Sequence, residues 1–207
     1  FFLGLMNIAE RAGAINWIAR LLNPFMKRLF PEVPEKHPAM GQMVMNFSAN
    51  MLGLDNAATP FGLKAMESLQ SINPDKEKAT NAQIMFLVIN TAGLTVIPVS
   101  ILAFRSAAGS MNPSEVFIPI LFTTFFTVLF GILIVAIKQR INLFNKVILA
   151  YLGGMAVLVL GLLFLIIHHP QYTELISKVG GNMFLLGIIV LFISLAFRKK
   201  VNVYDSF

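Results

Sequence analysis

Cysteine is absent from this sequence, which excludes disulfides and thiolate metal sites and leaves the redox compartment open. Histidine is scarce: His37 stands in a Lys-His-Pro loop, and the adjacent pair His168-His169 cannot point at one metal from a helix, so no metal site is expected. Charge is the most telling shortage. Only 13% of the 207 residues are charged while 57% are hydrophobic, at a mean hydropathy of +0.75; a soluble domain carries about 25% charged residues. The sequence therefore reads as an all-α integral membrane protein, its first partner the lipid bilayer. No Ser–His or Ser–Lys arrangement, paired carboxylates or metal-ligand spacing falls within its apolar segments, so it is not read as an enzyme and no resident cofactor is expected. The formal net charge of +6 does not call for nucleic acid, because the basic residues fall between apolar segments, where membrane topology accounts for them.

What the chain does contain is an unusual stretch from Met40 to Gln70, MGQMVMNFSANMLGLDNAATPFGLKAMESLQ. It reads as two short apolar helices, Met40–Leu54 and Pro60–Gln70, which would span roughly 22 and 16 Å. Neither can cross a hydrocarbon core of roughly 30 Å. Between them lies the polar run Asp55 to Thr59, and Thr59-Pro60 suits a helix start, a capping side chain followed by a proline whose missing N–H costs nothing there. This layout predicts a re-entrant hairpin. Irregular backbone survives at membrane depth only against protein or water, and in transporters such breaks hold substrates and coupling ions. Asn46 and Asn50, four residues apart, share the face of the first arm that runs toward Asp55. Lys64, one turn into the second arm, would neutralise Asp55 if that carboxylate is only structural.

The rest of the chain is read around this element. Phe1 to Leu22 is helical in pattern but carries Glu10, Arg11, Arg20 and Trp17, which suits an amphipathic helix at the headgroups better than a half-span whose Glu10 and Arg11 join a buried polar site. Asn23 to Pro38 holds four prolines and is expected to be a surface connection without a long helix. After a charged turn at Ser71 to Lys78, Thr80 or Asn81 caps a crossing helix that Pro98 is expected to kink or unwind by freeing the Leu94 carbonyl, with Asn90 and Thr91 close to mid-membrane. Val116–Ile137, Val147–Ile167 and Asn182–Phe197 are three plain apolar spans, which brings the count to about four transmembrane helices beside the hairpin. Pro119 falls in the first turn of its helix. The strongly basic segments Lys138–Lys146 and Arg198–Lys200 are separated by one pair of spans, so both are assigned to the cytoplasmic side of the membrane. Counting back, Asp75–Lys78 and Lys27–Lys36 fall on that side too, so the hairpin starts and ends on one face, as re-entry requires.

Three stretches carry a family resemblance: HPAMG (His37 to Gly41), the run NMLGLDNAATPFGLKAME (Asn50 to Glu67), and Val88-Ile89-Asn90-Thr91. They resemble spore maturation A-type proteins of the nucleoside-recognition, or gate, domain family. The resemblance covers roughly Phe1 to Phe104, and residues 1–110 are read as a gate-like domain containing the hairpin at 40–70. Residues 111–200 are read as linking transmembrane helices, and 201–207 as the opening of a B-type half in a fused chain cut at both ends. The implied architecture is half of a repeat, completed by a B-like half in the same chain or as a separate subunit, with homo-oligomerisation open. The implied function is a secondary transporter or permease for a small polar solute, nucleoside-like or anionic, coupled to Na⁺ or H⁺ if coupled at all. Its candidate binding residues are Asn46, Asn50, Asp55, Asn56 and Thr59 from the hairpin and Asn90 and Thr91 from the interrupted helix. The alternative is a non-transporting assembly partner in envelope or spore maturation, with the hairpin as a packing device.

Overall fold

The computed structural model describes residues 13–96, 98–168 and 181–198, and these are helical with no strand among them. The N-terminal pair Glu10-Arg11, His169, the basic pair Lys199-Lys200 and the segment 201–207 lie outside the described residues, as does the side chain of Asp55. The helices are α1 (Ala14–Leu29), α2 (Pro38–Met51), α3 (Asp55–Ser71), α4 (Asn81–Ala92), α5 (Val99–Ala107), α6 (Phe117–Lys138), α7 (Lys146–His168) and α8 (Gly181–Arg198), with a 3₁₀ turn at Pro113–Val116 before α6.

Helix ends follow local chemistry. Thr80 caps α4 through a capping box, its hydroxyl accepting from the Gln83 N–H while the Gln83 side chain accepts from the Thr80 N–H. Pro38 occupies the first turn of α2, and the His37 imidazole accepts from the Ala39 N–H. One expectation is corrected here. α1 does not stop before the proline-rich stretch but runs through Pro24 to Leu29. An interior proline removes the bond to the carbonyl four residues back and crowds it. Here Pro24 sits on the exposed side, and the neighbouring Leu21 carbonyl accepts a hydrogen bond from the Tyr151 hydroxyl of α7.

The core gathers Met26, Leu29 and Phe30 at the end of α1, Met40, Met43 and Phe47 of α2, Ala65 and Leu69 of α3, Met85, Phe86 and Ile89 of α4, and Val128 and Ile132 of α6. Outward, α6 and α7 present Phe130, Ile134, Ile137, Val157, Phe164 and Ile167, all exposed. Two stretches, Pro113–Lys138 and Lys146–Leu165, are long and apolar enough to cross a membrane. The interrupted span is two separate helices of 12 and 9 residues, α4 and α5; each is too short to cross alone.

At one end, the loops that charge counting assigns to a single side are bonded to one another. Asn81 Nδ2 donates to Glu32 Oε1 at 2.7 Å, and Gln139 Nε2 donates to the Asn81 carbonyl at 2.8 Å. Lys27 pairs with Glu35 at 2.7 Å and holds that carboxyl below the usual carboxylate range by hydrogen bonding and charge. The turn read as merely charged also contains a buried polar cluster. Asn73 donates to the Lys78 carbonyl at 2.7 Å and to Gln70 Oε1 at 3.1 Å, and Gln83 donates to that same Gln70 oxygen at 2.8 Å. This cluster ties the end of α3 to the start of α4.

Two glycines make opposite predictions. Gly53, between α2 and α3, has φ +64, where a Cβ costs roughly 1–2 kcal/mol. Gly41 is an exposed helix-interior position where an added Cβ meets nothing within 4 Å. Gly53→Ala is expected to lower the unfolding midpoint in detergent by the equivalent of about 1 kcal/mol or more, and Gly41→Ala to raise it by up to about 1 kcal/mol.

A candidate functional site where two helix breaks meet

The hairpin breaks in a different place from the one the sequence suggests. α2 ends at Met51, and the break is Leu52-Gly53-Leu54, with both leucines buried. The Leu54 N–H donates to the Ala49 carbonyl at 2.9 Å and the Gly53 N–H to the Asn50 carbonyl at 3.0 Å, the paired bonds of a Schellman stop with glycine in the left-handed position. α3 then starts at Asp55 with Leu54 as its cap residue and no side-chain cap; the N–H groups of Ala57 and Ala58 donate to the Leu54 carbonyl at 3.0 and 2.9 Å. Asp55 to Thr59 is therefore helical rather than a polar break, and Pro60 lies inside α3 instead of at its first position. The reason is that Gly53 ends α2 while Leu52 and Leu54 find apolar burial, so the polar run has no need to unwind.

The second break is the interrupted span. α4 ends at Gly93, φ +59, whose N–H donates to the Ile89 carbonyl at 3.0 Å, and the backbone stays non-helical to Pro98, Ile97 excepted as undescribed. This segment packs onto the first break. The Val96 N–H donates to the Met51 carbonyl at 3.0 Å, one of those that α2 cannot satisfy internally. The Ser100 hydroxyl, in the first turn of α5, donates to the Gly53 carbonyl at 3.0 Å. From α6, the Thr124 hydroxyl lies 3.5 Å from the Thr95 carbonyl and 2.9 Å from that of Ile120.

Three asparagines connect the helices beside this junction. Asn50 Nδ2 donates to Asn90 Oδ1 of α4 at 3.0 Å and lies 3.3 Å from Asn46 Oδ1 on its own helix. Asn46 Nδ2, buried, donates to the Ala58 carbonyl of α3 at 2.8 Å, and Asn90 Nδ2 donates to the Phe86 carbonyl at 3.0 Å. The ladder thus runs from α4 through α2 to α3. Of the sequence-derived candidates the structure brings together Asn46, Asn50 and Asn90. Asn56, Thr59 and Thr91 are exposed and do not join them, and Lys64 is exposed as well. A cavity of about 50 Å³ adjoins Asn50, walled by Phe25, Met26, Phe47, Ile89, Gly93 and Val128 among others. That is room for a few waters, and far below the several hundred Å³ of an ordinary small-molecule site.

Two neighbours of Asn46 went unread in the sequence. Gly62 of α3 faces Asn46: a Cβ built there would lie 2.9 Å from Asn46 Nδ2, so the glycine permits the Asn46–Ala58 bond. Gln42, one turn before Asn46, has a buried Oε1 with no hydrogen-bond partner. The spacing of Gln42, Asn46 and Asn50 at i, i+4 and i+8 was its available signal.

The glycine gives a prediction with a sign change. Gly62→Ala in the otherwise unchanged chain is expected to be destabilising by about 1 kcal/mol or more, since the Asn46 amide must leave its acceptor. In an Asn46→Ala background the obstruction is gone, and the same replacement is expected to be neutral or stabilising by up to about 1 kcal/mol through helix propensity. A double-mutant cycle on unfolding in detergent reads this; equal effects in both backgrounds would remove Gly62 from the site.

With this geometry in hand, comparison with known proteins is informative. A model of the Gate family, described as nucleoside recognition, matches residues 1–111. The chain is also 43% identical over 124 residues to spore maturation protein A of Bacillus subtilis (strain 168), an alignment covering 60% of this chain and 63% of that protein. The chain thus spans somewhat under two thirds of the length of that relative. No solved structure matches. Both helix breaks and all three ladder asparagines fall inside the matched segment, and with its apolar helices the chain is a membrane protein that belongs to the Gate, or nucleoside-recognition, family.

Proposed function

We propose that this chain is a permease of the bacterial inner membrane for a small polar solute, nucleoside-like or anionic, and that the junction of the two helix breaks is its gate. The observation that carries this reading is the direct bonding of one break to the other, Val96 N–H to the Met51 carbonyl, beside the Asn46–Asn50–Asn90 ladder. In this arrangement the gate is closed, because the amides hold one another and the adjoining cavity is too small for a solute. Opening would separate α4 and the segment after it from the hairpin, exposing Asn46, Asn50 and Asn90 to solute. Asp55, Asn56, Thr59 and Thr91 border the path on the hairpin and on α4. The positive end of α3 favours a negative or carbonyl-bearing group, or a proton or Na⁺ on Asp55 in exchange for it. The hairpin is taken as re-entrant, with the loops bearing Lys27–Lys36, Asp75–Lys78 and Lys138–Lys146 on the cytoplasmic side. A B-like half, in the same chain or separate, completes the permeation path, and 111–200 supplies the linking helices.

The same ladder also supports a second reading. Its amides satisfy one another, as in a device that only packs helices, and this favours a non-transporting assembly partner. A ligand-dependent stability screen separates the two. The purified protein is heated with nucleosides, small organic anions, Na⁺ and at several pH values, beside Asn50→Ala and Asp55→Asn. A ligand binding only the folded state raises the midpoint by mass action, by about 2.7 kcal/mol equivalent at a hundredfold excess over its Kd. The permease reading predicts a shift from at least one solute class that either substitution weakens. No shift from any solute, with Asn50→Ala merely less stable, leaves the assembly reading.

A further inference from the structure

A second polar site lies away from the helix breaks, between α1 and α8. A cleft of about 600 Å³ is lined by Trp17, Arg20 and Leu21 of α1 and by Leu195 and Arg198 of α8. Two arginines therefore line one opening, and no acid is among its described lining residues. The Arg20 Nε makes a long contact of 3.4 Å to the Asn16 carbonyl, and the ion pairs among the described residues are Lys27–Glu35 and Lys78–Asp75. Both cationic side chains of the cleft thus have no carboxylate partner among the described residues, in a chain that carries little charge. Arginine forks match phosphate oxygens two at a time.

The rest of the wall argues for an amphiphile rather than a free ion. Leu21 and Leu195 flank the arginines, and Trp17 is the residue type that settles at the boundary of bilayer and water. The depth agrees. α8 ends at Arg198, with Lys199 and Lys200 next in sequence. α1 is fixed to the opening turns of α7 by Tyr151, whose hydroxyl donates to the Leu21 carbonyl and whose ring stacks on Phe25 at 5.4 Å. The cleft thus lies at the basic end of the apolar helices, where headgroup phosphates sit.

The geometry points to an anionic phospholipid as the occupant, its phosphodiester between Arg20 and Arg198 and its acyl chains along Leu21 and Leu195. The assignment is independent of the solute path, so a failed solute screen leaves it standing.

Trp17 is the single tryptophan of the sequence and lines the cleft, so its fluorescence reports on this site alone. The intact chain is reconstituted in vesicles whose phosphatidylglycerol or phosphatidylcholine carries brominated acyl chains, which quench tryptophan on contact. Wild type is expected to be quenched preferentially by the brominated phosphatidylglycerol. Arg20→Gln and Arg198→Gln are each expected to reduce that preference about fivefold, the equivalent of one basic residue at an anionic surface. Arg28→Gln, an exposed position of α1 outside the cleft, is expected to leave it unchanged. Equal quenching of wild type by both lipids would overturn the assignment, and this comparison needs no variant to fold. So would a preference that survives both cleft substitutions together, which would mark general attraction to the surface. Relief of quenching by millimolar inorganic phosphate or glycerol 3-phosphate would make the ligand a free phosphate, and would likewise overturn the lipid assignment.

Discussion

The arrangement depends on one constraint: a helix that stops among apolar side chains leaves carbonyl and N–H groups that water cannot reach, and something must bond them. Here the two stops answer each other. Part of the deficit at the end of α2 is met within the turn by Gly53 and Leu54, and part by Val96 from the other break. The Gly53 carbonyl is met by Ser100. Each break is thereby a structural requirement of the other, which explains why two such features occur within one small segment. The asparagine ladder adds side-chain bonds to this backbone exchange and extends it to α3 through the Asn46–Ala58 bond. Such interhelical polar bonds in membranes contribute modestly, about 0.6 kcal/mol on average. A ladder of that strength can hold a closed arrangement without making it permanent.

Around this junction the remaining elements have separable duties. The core formed by α1, α2, α3, α4 and α6 keeps the hairpin packed while leaving only a small cavity beside Asn50. The polar cluster of Gln70, Asn73 and Gln83 joins the far ends of α3 and α4. Those ends are therefore tied together, and the opening that the proposed gate requires would fall at the opposite ends of the same helices. α6 and α7 present their apolar faces outward. The cleft between α1 and α8 is chemically unlike the junction, lined by two arginines in place of neutral amides. The two suit different ligands.

Much of the fold was legible because its signals were local. Thr80 and Gln83 mark a helix start within four residues, and the three plain apolar runs became α6, α7 and α8 within a residue or so of the expected limits. An interruption was readable from Pro98, although the helix gives way at Gly93 before the proline is reached. The hairpin break was misplaced because polarity was weighed above backbone conformation. Asp55 to Thr59 looked like a loop, whereas the Leu-Gly-Leu preceding it holds the one residue suited to a left-handed stop. Pro24 misled for the opposite reason, since an exposed proline can stay in a helix that tertiary packing retains. The spacing of Asn46 and Asn50 put both on one face, but their meeting with Asn90, 40 positions from Asn50, is tertiary and has no local signature. Gly62 was missed on the same ground: its role is set by a side chain on another helix.

The absence of native cysteine allows the central claim, that the two breaks lie against each other in the membrane-embedded protein, to be measured directly. Met51→Cys combined with Val96→Cys places thiols on the two residues joined by the 3.0 Å backbone bond between the breaks. Met51→Cys combined with Met111→Cys, an exposed loop position, serves as control. In native membranes under mild oxidant, the first pair is expected to form an intrachain disulfide rapidly and nearly completely, and the control pair to react little. Cross-linking of the Met51–Val96 pair no faster than the control would contradict the mutual satisfaction of the breaks, and with it the gate built on them.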